Sequence, residues 1–141
     1  METKMLSFSL KNDKSELDAL CQKVEKFGKS LSLPKKCIME INLALDELFT
    51  NIISYGFRDH LEHLVKIQIM RENGTLALCV EDDGIPFNPL ETQEIELPRD
   101  IEDCNIGGLG LHFVKKVMDQ VCYERCEGRN KLTLKKAIER N

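Results

Sequence analysis

The stretch LVKIQIMRENGTLALCVEDDG, residues 64–84, sets the architecture of this chain. Two strand-like runs rich in β-branched and aliphatic residues flank an Asn-Gly dipeptide at 73–74, a pair that is preferred in the tight turns of β-hairpins. The stretch therefore predicts two antiparallel strands. The second strand ends in two aspartates and Gly84, which places polar groups at the end of a buried strand.

The segments that precede the hairpin show two different periodicities. Residues 4–12 alternate between apolar and polar side chains, which is typical of a strand. Apolar residues then recur at steps of three and four, which predicts an amphipathic helix. These residues are Leu17, Leu20, Val24, Phe27 and Leu31.

A second helix is predicted directly before the hairpin. Pro34 is suited to the first position of a helix, and Ser32 or Leu33 is expected near the cap. The apolar pattern continues to Tyr55, and Gly56 is expected to end the helix.

The segments that follow the hairpin begin with an unusually long connection. Residues 88–106 are polar, acidic and weakly patterned, and compact domains seldom keep such a loop unless it acts as a lid or binding element. A glycine-rich entry and a helix are expected over 107–119, and two closing strands over 120–125 and 130–138, joined around Gly128. The order predicts an α+β fold with helices on one face of a sheet.

Composition and charge exclude several classes of protein. The chain has 141 residues, 42% of them hydrophobic and 31% charged, which fits a single domain over residues 1–141. It has no apolar run of about 20 residues and no secretory start, so we expect a cytoplasmic protein that does not enter a membrane. The net charge of −4 disfavours direct binding to nucleic acid. Six cysteines show no metal-binding spacing and are expected to be reduced and mostly buried.

A polar pair lies beside the core-facing stripe of the second helix. Glu47 and Asn51 are one turn apart on the same face, next to the apolar stripe. One interpretation is an ordinary polar pair at the edge of a surface helix. The other is a carboxylate base beside an amide oxygen that ligates a hard cation such as Mg²⁺. The apolar stripe consists of Ile41, Leu45, Leu48 and Ile52.

The end of the hairpin also allows two interpretations. An Asp-Gly sequence after a strand is often only a turn. Alternatively, a buried carboxylate there accepts a hydrogen bond from an exocyclic amine, and Gly84 lets a flat ring approach the backbone. Asp82 is the better acceptor candidate, because strand alternation turns Asp83 to the other side.

The glycine-rich segment, residues 107–111, lacks the Lys-Ser/Thr ending of a P-loop and the third glycine of a dinucleotide fingerprint. It is either a helix entry built from permissive residues or a hinge whose free amide groups hold phosphate oxygens.

Taken in order, these motifs resemble a known ATP-binding superfamily. Glu47-x-x-x-Asn51, Asp82-x-Gly84, a long acidic loop and the glycine-rich segment resemble the N box, G1 box, lid and G2 box of the GHKL superfamily. Within it, ALDELFTNIISYGF, VEDDGIPFNP and GGLGLHFVKKVMD look most like the anti-sigma-factor serine/threonine kinases. The resemblance spans nearly the whole chain. It implies the Bergerat fold, a two-layer α/β sandwich with a mixed, mainly antiparallel sheet.

The resemblance also assigns roles to residues of this chain. It implies that Glu47 is the general base, that Asn51 is the Mg²⁺ ligand and that Asp82 accepts the adenine amino group. Thr133 matches a threonine that family members place near adenine, although a lone threonine in a strand is usually only a strand former. The remaining nucleotide-binding residues implied by the resemblance are Gly84, Pro86, Gly107, Gly108, Leu109, Gly110 and Leu111.

One departure from the pattern concerns the end of the second helix. Histidine kinases of the superfamily often carry a basic residue shortly after the asparagine, whereas here Ser54 and Tyr55 follow. The γ-phosphate would lack that cationic partner.

Two functions follow from the resemblance. The first is an ATP- and Mg²⁺-dependent protein serine/threonine kinase that phosphorylates an anti-anti-sigma-type protein. The second is a nucleotide-gated module that sequesters a sigma factor or another regulator with little or no catalysis. The resemblance also allows a homodimer.

Overall fold

The computed structural model describes residues 4–91 and 108–138. The expected lid beyond its first residues, together with Gly107 and Cys104, lies outside the described residues. The described residues form three helices and five strands, with short 3-10 turns at Lys14–Glu16 and Pro89–Glu91. In chain order these are β1 Lys4–Lys11, α1 Leu17–Ser30, α2 Lys35–Tyr55, β2 Leu64–Glu72, β3 Thr75–Asp82, α3 Gly108–Val117, β4 Gln120–Cys126 and β5 Arg129–Ala137.

The five strands form one sheet in the order β1-β2-β3-β5-β4. The four pairings between described strands are all antiparallel, so the expected mixed, mainly antiparallel sheet is corrected to an antiparallel one in this part of the chain. The β4–β5 hairpin enters the sheet beside β3, because β5 rather than β4 pairs with it. This arrangement brings the end of β3 next to the start of β5.

The core lies between the helices and one face of the sheet. The apolar stripe predicted on α2 is buried, and Leu45, Leu48 and Phe49 are wholly shielded from solvent. Alternate residues of β3 and β5, such as Leu78 and Leu134, meet them from the sheet. Each such side chain contributes roughly 1.5–3 kcal/mol by burial. The predicted α+β fold with helices on one face is confirmed.

Both predicted hairpin turns are present. Asn73 adopts a positive φ of 57° between β2 and β3, a conformation that asparagine tolerates. Glu127 and Gly128 adopt φ values of 52° and 77° between β4 and β5. Two successive positive φ angles match the right-handed twist of the strands that they join.

The connection between α1 and α2 differs from the prediction. Ser32, at φ 58°, closes α1 because its N–H donates to the Lys29 carbonyl and the Leu33 N–H donates to the Gly28 carbonyl. This pattern is a Schellman motif, so Ser32 and Leu33 serve the end of α1 instead of capping α2. Pro34 is the cap of α2 and makes no side-chain cap bond.

The cysteines are more exposed than predicted. All five that the structure describes are free thiols, but only Cys37 is buried. Cys122 and Cys126 are exposed on the edge strand β4, on the sheet face that has no helices. Alternation along the strand, rather than a preference of the thiol, determines this exposure.

Candidate functional site

The Glu47–Asn51 pair on α2 is partly buried. Asn51 is only 6% exposed, and its Nδ2 donates to Glu47 Oε2 at 3.0 Å. Burial raises the pKa of Glu47; the Asn51 hydrogen bond opposes that rise and the charge of Asp46 adds to it. A carboxylate with a raised pKa is a better proton acceptor near neutral pH. Because the amide uses its nitrogen toward Glu47, its oxygen is left for another ligand.

Asp82 ends β3 on the helix-facing side of the sheet. It is 2% exposed, whereas Asp83 is exposed, as strand alternation predicts. The Gly84 N–H and the Asn130 Nδ2 both donate to Asp82 Oδ1, at 2.8 Å and 3.0 Å. Burial raises the pKa of Asp82, and these two donors oppose that rise. Both groups donate to Oδ1, so Oδ2 is left to accept a hydrogen bond from a ligand.

Asn130 is a site residue that the sequence reasoning missed. It is the second residue of β5 and lies directly opposite Asp82, and both side chains are buried. The only hint in the sequence was a polar side chain at the start of a strand, and its significance depends on the register between two distant strands.

Thr133 is not brought to this site. It pairs with Cys79 of β3, and both lie on the sheet face opposite to Asp82, since side chains alternate along each strand. Leu132 and Leu134 on either side of it point into the core. The predicted role of Thr133 beside adenine therefore has no geometric support.

Gly84 is explained by contact within the protein. A Cβ at this position would lie 2.2 Å from the Gly56 carbonyl oxygen, which a real side chain cannot do. The neighbouring Ile85 N–H donates to the same carbonyl at 2.8 Å. The glycine thus permits the loop after β3 to rest on the end of α2. The direct approach of a ring to Gly84 stays a prediction.

An aromatic contact also joins the loop after β3 to the end of α2. The ring of Phe87, in the loop after β3, lies 6.0 Å from the ring of Tyr55. Tyr55 is one helical turn beyond Asn51 on the same face of α2. The loop that follows Asp82, which includes the exposed Pro86, is therefore held against the end of α2 one turn beyond Asn51.

The glycine-rich segment is helical where the structure describes it. Gly108, Leu109, Gly110 and Leu111 form the first turn of α3, which agrees with the helix-entry interpretation. The first four amide groups of a helix have no partner within the helix, so this turn can still present N–H groups to an anion.

The part of the chain that the structure describes indicates no metal cluster and no membrane-spanning helix. Among residues 4–91 and 108–138, no three His, Cys, Asp or Glu side chains are grouped so as to hold a metal ion. A single amide ligand fits Mg²⁺, which keeps most of its waters and binds substrate phosphates. No helix in the same residues has the length and apolar character required to span a membrane.

His63 is fixed between two carboxylates. Its Nε2 lies 2.8 Å from Asp59 Oδ1 and its Nδ1 lies 3.0 Å from Asp83 Oδ1. The ring also stacks on Phe57 with centroids 4.5 Å apart. The hydrogen bond to Asp59, followed by that to Asp83, raises the pKa of His63. This cluster ties the loop after α2 to the end of β3.

We expect His63→Gln to destabilise the fold most at mildly acid pH. A raised pKa in the folded state means that the ion pairs stabilise fully below the unfolded pKa of about 6.5, and that this is lost as pH rises through the folded pKa. The difference in thermal midpoint between wild type and His63→Gln should therefore shrink from pH 5.5 to pH 8. The exposed His60 provides the control, since His60→Gln should show a small difference throughout. A difference that grows with pH would contradict this.

Sequence comparison relates the chain to bacterial kinases and anti-sigma factors. It is 28% identical over 94 residues to the serine/threonine-protein kinase BtrW of Bordetella bronchiseptica, a region that is 67% of this chain and 66% of that protein. It is 32% identical over 91 residues to the serine-protein kinase RsbW of Listeria monocytogenes, covering 61% of this chain and 57% of that protein. The chain thus spans less than two thirds of both relatives. It is also 27% identical over 103 residues to the anti-sigma F factor of Clostridium novyi, covering 72% of each.

Solved structures with the same fold include two histidine kinases. A blue-light activated histidine kinase domain from Erythrobacter litoralis matches 89% of this chain and 60% of its own, with a TM-score of 0.55 at 17% identity. The histidine kinase AdeS of Acinetobacter baumannii matches 99% and 70%, with a TM-score of 0.52 at 15% identity. The family described as histidine kinase-like ATPase domain matches residues 10–136. This chain therefore belongs to the histidine kinase-like ATPase domain family.

Proposed function

We propose that this chain, acting as a single domain over residues 1–141, binds ATP with Mg²⁺ and transfers the γ-phosphate to a serine or threonine of an anti-anti-sigma-type protein. The observation that carries the proposal is the buried Asp82, which has one oxygen free for the adenine amino group and is followed by a loop that rests on the end of the helix bearing Glu47 and Asn51. The names of the kinase and anti-sigma relatives support it.

Glu47 is the proton acceptor in this scheme. Its partly buried carboxylate takes the proton of the hydroxyl that the partner presents, so that the oxygen can attack the γ-phosphorus. Asn51 holds Glu47 in place through its nitrogen and offers its oxygen to the metal ion. Mg²⁺, when bound, supplies neutralisation of the phosphate charge.

The nucleotide is held at its two ends. Asp82 accepts from the adenine amino group, with Pro86 on the adjoining loop. The first turn of α3, Gly108 to Leu111, directs its free N–H groups to the phosphates, and Gly107 precedes that turn. Thr133 is left out of this scheme because it lies on the opposite face of the sheet.

A second function is favoured by one observation. Tyr55 is exposed and uncharged at the end of α2, where many histidine kinases have a cation. Slow transfer and nucleotide-gated sequestration of a sigma factor would follow from that difference. A cytoplasmic location and a homodimer belong to the same proposal.

Two measurements test the proposal. Calorimetric titration with ADP and with ATP, each with and without Mg²⁺, should give heats of binding at high micromolar protein. Incubation with γ-labelled ATP and proteins encoded next to this one should label a partner on serine or threonine. Absence of heat with every adenine nucleotide would refute the site. Binding without transfer to any partner would favour sequestration.

We expect Asn51→Ala to weaken nucleotide binding mainly when Mg²⁺ is present. The substitution removes the metal ligand but leaves the adenine contacts, so the affinity gained on adding Mg²⁺ should largely disappear. Asn42→Ala is a matched control, because Asn42 lies nine residues earlier, on the opposite side of α2. Calorimetry of both variants with ADP, with and without Mg²⁺, measures the difference. Equal Mg²⁺ dependence in the two variants would exclude Asn51 as the ligand.

A further inference from the structure

Asn130 is the centre of a buried hydrogen-bond network. Its Nδ2 donates to Asp82 Oδ1 at 3.0 Å and to the Ile85 carbonyl at 2.8 Å, which uses both of its hydrogens. Its Oδ1 accepts from the Phe87 N–H at 3.2 Å, from Arg125 Nη1 at 3.1 Å and from the Tyr123 hydroxyl. Asn130 is 3% exposed, so water does not replace these partners.

These five partners fix the orientation of the amide. Three donors face its oxygen and two acceptors face its nitrogen, so a rotated amide would oppose donor to donor and acceptor to acceptor. Asn130 can therefore offer Asp82 only a hydrogen, never a lone pair. Arg125 adds to this rigidity because its Nη1 also donates to the Gly84 carbonyl at 2.8 Å.

The charge of Asp82 determines which base it can recognise. An ionised carboxylate accepts hydrogen bonds only, and so matches the 6-amino group of adenine. A protonated carboxyl can also donate, and so matches the 6-oxo group of hypoxanthine or guanine. Burial favours the protonated form, while a donor directed at Oδ1 favours the ionised form.

We propose that Asn130 is a positioning residue that sets base selectivity, because its fixed amide keeps Asp82 an acceptor with Oδ2 free for an amine. This inference rests on the proposed function, since it concerns the adenine end of that nucleotide site. Asn130 acts through Asp82 and need not touch the base.

The test compares ADP with IDP, which differ at position 6 of the base, in wild type and in Asn130→Asp. The new carboxylate faces Asp82 at about the same separation, and the pair shares a proton at lower pH. While Asp82 carries the shared proton, it can donate a hydrogen bond to the 6-oxo group of IDP. We expect the ratio of Kd for IDP to Kd for ADP to fall at least tenfold in Asn130→Asp at pH 6. The ratio should recover toward pH 8 as the shared proton leaves, whereas the wild-type ratio stays constant.

A purely structural role for Asn130 predicts a different result. Affinity for ADP and IDP would then fall together and the ratio would stay unchanged at every pH, which would overturn the proposal. Asn88→Asp is the matched control, because its Oδ1 accepts from the Leu90 N–H at 2.9 Å and a carboxylate keeps that bond. Its ratio should equal that of wild type.

A second measurement does not depend on the variant's folding. The ¹³Cγ chemical shift of Asp82 in the wild-type protein reports its charge directly, and we expect an ionised carboxylate at pH 7. A protonated Asp82 at that pH would overturn the inference. Failure of wild type to bind ADP at all would instead refute the proposed function, so the two failures are distinguishable.

Discussion

Glu47→Gln is expected to slow phosphate transfer by about 10²–10⁴ while nucleotide affinity stays within a few-fold of wild type. Glutamine keeps the shape of the side chain and its contact with Asn51, but it cannot take the proton of the attacking hydroxyl. Because burial raises the pKa of Glu47, the wild-type rate should also fall as pH drops through that raised value. Single-turnover transfer from γ-labelled ATP measures both effects.

Glu40→Gln is the matched control for this substitution. Glu40 lies about two turns earlier on the same face of α2, where its Oε1 pairs with Lys136 Nζ at 3.1 Å. Loss of this ion pair should lower the stability of the fold but leave the transfer rate unchanged. Transfer by Glu47→Gln at the wild-type rate would remove the general base from the scheme and make nucleotide-gated sequestration the better account.

Asp82→Asn is expected to weaken the binding of ADP by about 1.5–3 kcal/mol, the range for losing a hydrogen bond to a charged group. That is roughly a ten- to 150-fold rise in Kd. The asparagine oxygen can keep the bonds from Gly84 and Asn130, which leaves an NH₂ group facing the adenine amine. The asparagine NH₂ and the adenine amino group are both hydrogen-bond donors, so they cannot bond to each other.

The same substitution should improve the relative binding of IDP, whose 6-oxo group accepts from an amide. Asp83→Asn is the control, since Asp83 is exposed and bonds to His63 instead of facing the site. Titration calorimetry with both nucleotides should show wild-type affinity for that variant. Wild-type ADP binding by Asp82→Asn would refute the adenine assignment.

Local signals in the sequence were enough to predict most of the fold. The Asn-Gly turn, the residues around Gly128 and the three-and-four spacing of apolar residues each act over a few positions, and each predicted the correct element. The expected caps of α2 were wrong because the Schellman motif of α1 recruits Ser32 and Leu33. The apolar pattern of α1 and that of α2, each taken alone, do not show that the end of one helix and the start of the other compete for the same residues.

The candidate site was predicted less completely than the fold, because one of its contacts depends on the pairing of distant strands. Glu47, Asn51 and Asp82 stand within helix or strand patterns that indicate which face they occupy. Asn130 contacts Asp82 only because of register, since the pairing of β3 with β5 sets it opposite Asp82 across 48 residues. Thr133 lies on the other face because side chains alternate along β5, and the flanking Leu132 and Leu134 already indicate this in the sequence.

The position of β5 between β3 and β4 also determines the order in which the sheet can form during synthesis. While the chain is being synthesised, β1, β2 and β3 can pair before the β4–β5 hairpin has emerged, but one edge of β3 then remains bare. A bare apolar strand edge is a template for pairing with other chains, so this interval is the period of greatest exposure to aggregation and the natural point for chaperone capture. Asp82 has no Asn130 beside it during that interval, so the proposed function predicts that nucleotide stabilises the chain only after the hairpin has docked.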